Sequence, residues 1–165
     1  MSEESTTDHR LTVYLDDHLA GSSGAVRLVE RLRDRDPSGE LGKLLDGLLA
    51  EIEEDRATLQ EILGLLEATP STIKRAGAVG AELLTSLRHR LPVLGAGSSK
   101  VALLEDLEVL SLGIEGKRLL WAALGAASSA DARLRGFDFE DLQARARSQR
   151  ERLEPFRLQL AMESV

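Results

Sequence analysis

Apolar residues recur at spacings of three and four positions along five stretches of the chain, which is the period of one face of an α-helix. Short segments rich in Gly, Pro, Ser and Asp separate these stretches. The pattern predicts helices over about residues 8–33, 39–66, 70–90, 99–125 and 138–161. Residues 1–7 are small and polar, so we expect a disordered tail before one helical domain at 8–165.

Proline and capping residues mark the ends of several predicted helices. Pro37 prevents the first helix from running into the second, and Ser38 is placed to cap the second helix. Asp138 gives the last helix an acidic start, which the positive end of the helix dipole favours. Pro155 lies inside the last helix, but the apolar spacing continues across it, so we expect a kink and not a stop.

The stretch 101–124 differs from the others because its apolar residues cover more than half of the helical circumference. Such a helix must be covered by its neighbours on several sides. Two carboxylates fall within its widest apolar arc, Glu108 and Glu115, together with Val101, Leu104, Leu119 and Ala122. Because a carboxylate on a buried face is costly without a partner, we expect the other helices to supply partners. Trp121 lies on the broad apolar side of this helix, and we expect it in the core.

Each of the four long helices places one polar residue within its apolar face, and these residues are His18, Asp55, Glu115 and Gln149. The first two helices are joined by a short connection, so they form an antiparallel hairpin that sets residue 18 opposite residue 55. The last hairpin sets Glu115 opposite Gln149 in the same way. We therefore expect His18 to pair with Asp55, and all four residues to share one level near the middle of the bundle.

Composition supports a single all-α domain. The 165 residues include 42% hydrophobic but only 3% aromatic side chains, and abundant Leu, Ala, Glu and Arg favour helices over sheets. The chain has no cysteine, which excludes disulfide and thiolate chemistry. The second helix is acidic and the last is rich in arginine, so we expect these two helices to be neighbours.

Charge and hydropathy exclude several classes of partner. A net charge of -7 and a pI near 5.1 argue against binding to nucleic acid or to an anionic membrane, because both need a clustered basic surface. The N-terminal sequence MSEESTTDHR is acidic, whereas a secretory signal is basic and then apolar. No apolar run reaches the roughly 18 residues that a membrane span requires. These features predict a cytoplasmic protein.

Two long helical hairpins separated by roughly thirty residues form a layout that resembles the ferritin-like superfamily. The resemblance implies a ferritin-like antiparallel four-helix bundle with an extra short helix in the crossover. In that family the first and third helices each present a glutamate to a di-iron centre, and the other two helices each supply a Glu-x-x-His pair. Ferritin itself uses a glutamine on the last helix.

The resemblance suggests roles for individual residues of this chain. Glu115 and Gln149 look like the ligands of the third and fourth helices. His18 stands where the first-helix glutamate would be, and Glu51 or Asp55 stands where the Glu-x-x-His pair would be. No histidine of this chain has a glutamate three positions before it, so the sequence departs from the family's motif.

Three hypotheses remain open at this point. In the first, the polar residues form a buried hydrogen-bonded layer that fixes the register of the helices in a non-catalytic protein without a cofactor. In the second, the protein handles iron or counters oxidative stress and binds iron or manganese through His18, Glu51, Asp55, Glu108, Glu115 and Gln149. In the third, it is a protein-interaction module that forms a dimer, with the short helix as the docking element. Nucleophilic catalysis has no support, because the serines lie mostly in caps and linkers without a base at a useful spacing.

Overall fold

The computed structural model describes the backbone of residues 3–67 and 99–164 and the side chains of residues 9–66 and 99–164. These ranges contain four α-helices and no strand: α1, Glu3–Arg33; α2, Glu40–Glu67; α3, Lys100–Ala127; and α4, Phe139–Ser164. A single 3₁₀ turn, Ala132–Leu134, lies between α3 and α4. The prediction of an all-α chain with four packed helices is confirmed.

The helix ends differ from the predicted ones at several points. α1 begins at Glu3 and not at residue 8, so residues 3–7, which we expected in a disordered tail, are helical. The predicted short helix at 70–90 falls outside the described residues. α4 continues through Pro155 as one helix.

Each helix packs against two neighbours, and all neighbouring pairs are antiparallel. α1 contacts α2 and α3, and α4 contacts α2 and α3. The end of α1 lies beside the start of α3, since Arg31 faces Asp106. The start of α3 lies beside the end of α4, since Lys100 pairs with Glu163. α2 and α3 therefore run in the same direction on opposite corners of the bundle, an up-down-down-up arrangement.

The connection between α1 and α2, residues 34–39, is closed by Asp36 and not by Ser38 as expected. Asp36 Oδ1 accepts hydrogen bonds from the Gly39 N–H at 3.1 Å and from the Ser38 hydroxyl at 3.3 Å. A Cβ atom at Gly42 would lie 2.1 Å from the Asp36 carbonyl oxygen, so the close return of the chain depends on this glycine. Asp138 begins α4 as predicted, because its carboxylate accepts the Asp141 N–H at 3.0 Å.

The inner faces of α2, α3 and α4 each form a narrow stripe whose members are spaced alternately by three and four residues. On α2 the stripe is Leu45, Leu48, Ile52, Asp55, Leu59, Ile62 and Leu66. On α3 it is Leu107, Leu110, Ile114, Lys117, Trp121 and Leu124. On α4 it is Leu142, Ala146, Gln149 and Leu153. The arc chosen from the sequence of α3 is wrong, because Val101 is 48% exposed and Leu119 is 53% exposed.

The apolar core has two parts, and a level of polar residues lies between them. The first part is built around Leu28, Val29, Leu32, Leu45, Leu48, Ile52, Leu107, Leu110, Ile114 and Leu153. The second part is built around Leu15, Leu59, Ile62, Leu66, Leu120, Trp121, Leu124, Leu134, Phe139 and Leu142. Asp55 lies between Ile52 of the first part and Leu59 of the second. The expected polar level near the middle of the bundle is thus present, with a changed membership.

Candidate functional site

Asp55 of α2 is the centre of the polar level. Its side chain is 1% exposed, so its charge must be compensated by partners inside the protein. Lys117 of α3 donates a hydrogen bond from Nζ to Asp55 Oδ2. Arg145 of α4 donates from Nη2 to Asp55 Oδ1 at 2.5 Å. Both carboxylate oxygens therefore have a cationic partner.

Gln149 of α4 completes the centre and is fully buried. Its Oε1 accepts a hydrogen bond from Lys117 Nζ at 2.6 Å. Its Nε2 donates to Glu51 Oε2 at 3.1 Å and to Asp55 Oδ2 at 3.4 Å. The amide thus satisfies a cation with one end and two carboxylates with the other, and its orientation is set by those neighbours.

Two further ion pairs extend the level to the surface between α2 and α4. Arg152 donates from Nη2 to Glu51 Oε2 at 2.5 Å, and Arg145 also reaches Glu54 at 3.1 Å. Three carboxylates face three cations: Glu51, Glu54 and Asp55 against Lys117, Arg145 and Arg152. We call these six residues and Gln149 the charged layer. The acidic second helix and the arginine-rich last helix are neighbours, as their charge patterns predict.

Burial and charge act against each other in the charged layer. Burial lowers the pKa of Lys117 below its ordinary value, although the adjacent Asp55 carboxylate favours the protonated amine. Burial alone would raise the pKa of Glu51, but hydrogen bonds from Arg152 and Gln149 outweigh it and leave this pKa below its usual value. The ammonium, guanidinium and carboxylate groups of the layer therefore compensate one another's charge.

His18 does not pair with Asp55, so the expected contact is wrong. The His18 ring lies edge-on to the Tyr14 ring, with the ring centroids 4.8 Å apart. Burial lowers the pKa of His18, and the neighbouring Asp17 acts in the opposite direction. The long side chain of Lys117, from the opposite corner of the bundle, occupies the position beside Asp55 that we assigned to histidine.

Glu115 and Glu108 lie on the seam between α3 and α4, where they pair with arginines. Glu115 accepts hydrogen bonds from Arg118 and Arg150, each at 2.6 Å, and not from Gln149 as expected. Glu108 pairs with Arg157 at 3.3 Å. The predicted set is therefore divided: Glu51, Asp55 and Gln149 meet in the charged layer, whereas Glu108 and Glu115 stand apart from it.

The residues of the charged layer do not fit a two-ion metal centre. Within residues 9–66 and 99–164 there is no group of three or more His, Asp or Glu residues placed to hold a metal ion. Glu51 and Asp55 do approach each other through Gln149, but Arg152 already pairs with Glu51, and Lys117 and Arg145 occupy both oxygens of Asp55. Metal ligands of this type must be free carboxylates and neutral imidazoles.

A cavity of about 410 Å³ lies beside the charged layer, between α1, α2 and α3. Asp55 and Lys117 form part of one wall, and His18 forms part of another. Trp121 also lines the cavity and is fully buried, which confirms its predicted place in the core. The charged layer and the cavity together form the candidate site.

Sequence reasoning missed Lys117, although the sequence contains a signal for it. Lys117 takes the position of one apolar residue in the stripe that runs from Leu107 to Leu124. Sequence reasoning also missed Asp106, a fully buried carboxylate near the start of α3. Asp106 accepts a hydrogen bond from Arg35 at 3.2 Å and faces Arg31 at 3.6 Å, which ties the first hairpin to α3.

Comparison with protein-family models, with curated proteins and with solved structures finds no match to this chain. Among the described helices, none combines the length and the apolar character needed to cross a membrane.

Proposed function

We propose that the protein is a non-catalytic, ferritin-like helical bundle in which the charged layer stands in place of a metal centre. One observation carries this proposal. The ammonium group of Lys117 lies between the carboxylate of Asp55 and the amide oxygen of Gln149, at the level where a ferritin-like bundle would hold metal. A fixed cation from the chain itself thus neutralises the central carboxylate.

The topology supports the ferritin-like part of the proposal. The two antiparallel hairpins pack so that α2 and α3 are parallel and occupy opposite corners. Because α2 ends at one end of the bundle and α3 begins at the other, a single crossover joins the hairpins. A four-helix bundle with one long crossover is the arrangement of ferritin-like folds.

The chemistry of the layer supports a structural role for it. A buried ion pair pays a large desolvation cost, so replacing it with apolar residues of similar size is often neutral or stabilising. Its value in some helical assemblies lies in specificity, because a shifted register leaves buried charges without partners. Asp55, Lys117 and Gln149 occupy single positions in three otherwise apolar stripes, so only one register brings them together.

A metal assay tests the proposal directly. The protein is purified without chelator, its iron and manganese contents are measured, and ferrous iron is then added in air while absorbance is followed. A ferritin serves as the positive control. We expect no stoichiometric metal and no oxidation above the buffer blank. Stoichiometric iron or manganese that is lost in Asp55→Asn would overturn the proposal.

A further inference from the structure

The outer face of α3 is apolar over its second half. From residue 112 onward, the exposed residues of this helix are Leu112, Gly113, Leu119, Ala123 and Ala126, and none of them is polar. Leu112 is 71% exposed and Leu119 is 53% exposed. The exposed faces of α1, α2 and α4 all contain charged residues. A continuous apolar face on the outside of a bundle indicates that another element packs there.

The outer face of α3 has the spacing of a helix-packing stripe. Its line is Leu112, Gly116, Leu119, Ala123 and Ala126, at intervals of four and three residues. Exposed Glu105 lies on the same line, seven residues before Leu112. Alternating intervals of three and four present one row of side chains to a partner helix. The small residues of the line let the axis of that partner approach closely.

The chain between α2 and α3 must run the length of the bundle. Each of these parallel helices has 28 residues, which makes it about 42 Å long. The chain leaves the end of α2 at Glu67 and returns to the start of α3 at Lys100. The two apolar clusters and the charged layer fill the space between the described helices, so the connection passes along the outside.

The sequence of this connection contains a matching stripe. Within the predicted helix 70–90, apolar or small residues recur at intervals of three and four, and they are Ile73, Ala76, Gly80, Leu83 and Leu87. Arg90 continues the line by three more positions. The same stretch contains four Lys or Arg residues and one acidic residue, in a chain whose net charge is -7. Its charge therefore complements that of the rest of the protein.

The two lines match when they are placed antiparallel with Arg90 beside Glu105. Only nine residues separate Arg90 from Lys100, a length typical of antiparallel neighbours. In that register the other matches are Leu83 with Leu112, Gly80 with Gly116, Ala76 with Leu119 and Ile73 with Ala123. Two glycines thus meet, and a small residue faces a large one at the next two matches.

We propose that residues 70–90 of this chain dock as a helix on the outer face of α3, antiparallel to it, from Glu105 to Ala126. The apolar line of the segment covers Leu112 and Leu119, and Arg90 pairs with Glu105. A second copy of the chain is the alternative occupant, and the test below separates the two. The inference is independent of the charged layer and of its role.

Disulfide cross-linking tests the docking and its register, because the chain has no cysteine of its own. The full-length double variant Ala76→Cys with Leu119→Cys is oxidised with copper phenanthroline, and the products are separated by non-reducing gel electrophoresis and mass spectrometry. We expect an intramolecular disulfide in most of the protein. The control pair is Leu87→Cys with Leu119→Cys. The proposed register separates its members by about 16 Å along the axis, so its yield should be at least tenfold lower.

Further variants separate docking from chance collision. Leu83→Glu should lower the yield of the first pair at least tenfold, because it places a charge in the apolar line. Thr85→Glu, on the opposite side of the predicted helix, should leave the yield unchanged. Helical circular dichroism checks the fold of each variant. Equal yields from the two cysteine pairs, no effect of Leu83→Glu, or disulfide-linked dimers of Leu119→Cys alone in place of the intramolecular product would refute the proposal.

Discussion

Lys117 reaches across the diagonal of the bundle and donates its hydrogen bond to Asp55, although their helices α3 and α2 are not neighbours. The other cation on Asp55, Arg145, comes from α4, which lies between those two helices. The buried carboxylate thus joins three helices through two hydrogen bonds. The Lys117–Asp55 hydrogen bond joins two helices that are not neighbours, so it depends on the packing of the whole bundle.

The Lys117–Asp55 pair should show strong coupling in a double-mutant cycle. Lys117→Met leaves Asp55 with a single cation and Gln149 Oε1 without its donor, and we expect a loss of about 3 kcal/mol in the free energy of unfolding. Asp55→Leu leaves the buried ammonium with Gln149 alone and should cost about 3–5 kcal/mol. The double variant should be much less destabilised than the sum of the two.

Urea denaturation followed by circular dichroism measures all three variants. Costs that simply add, with no coupling between the two sites, would contradict the pairing. An Arg118→Met variant is a suitable control, because Arg118 pairs with Glu115 within the same helix and is partly exposed. That change should cost less than about 1 kcal/mol.

His18→Leu should be mild, with a change of less than about 1.5 kcal/mol in unfolding free energy. The reason is that His18 has an aromatic contact with Tyr14 but no hydrogen bond to Asp55, so its loss leaves no buried charge without a partner. The measurement is urea denaturation of the variant beside the wild type. A loss as large as that of Asp55→Leu would show that His18 supports the charged layer after all.

The lowered pKa of His18 predicts a dependence of stability on pH. Because burial lowers this pKa below its ordinary value of 6.5, the unfolded chain takes up the proton first as the pH falls. His18 therefore opposes folding increasingly as the pH drops through about 6.5, and it makes no such contribution well above that value. The free energy of unfolding of the wild type should fall more steeply between about pH 7 and pH 5 than that of His18→Gln. Parallel curves for the two proteins would show that His18 titrates alike in both states.

Alanine variants at Gly42 and Gly47, two glycines of α2, test the close return of the chain in the connection between α1 and α2. Gly42→Ala should destabilise by about 1–3 kcal/mol, because the new Cβ would meet the Asp36 carbonyl oxygen at 2.1 Å. Gly47→Ala should instead stabilise by about 0.4–1 kcal/mol, since its Cβ meets nothing within 4 Å and alanine restricts the unfolded chain. Thermal unfolding of both variants compares the two signs. Equal effects would mean that the chain does not return as closely at Gly42 as the structure shows.

The sequence could predict the buried polar residues of helices with one narrow apolar stripe. It could not predict the buried lysine of a helix that is apolar on several sides. Asp55 and Gln149 each interrupt one clear stripe, which places them at the buried level without further information. α3 is apolar on several sides, so its sequence allows more than one inner face. The widest apolar arc of its sequence includes Val101 and Leu119, which are exposed, whereas Lys117 lies on the face that is buried.

The partners within the level were harder to predict than the level itself. Matching residue positions along two antiparallel hairpins predicts which positions face each other. It does not account for a lysine side chain that is long enough to reach the diagonally opposite helix. The same reasoning predicts that Glu115 faces Gln149, whereas Glu115 accepts a hydrogen bond from Arg150, the next residue along α4. An error of one residue is small along the helix axis, but it turns a side chain by about 100° around it.

The charged layer also has a consequence for local unfolding. The layer lies between the two apolar clusters, and each cluster has its own set of packed residues. Cooperative opening units often follow such divisions in the packing. Native-state amide exchange in this protein would then report two protection levels along α2, α3 and α4, with the change occurring at the turn that carries the charge.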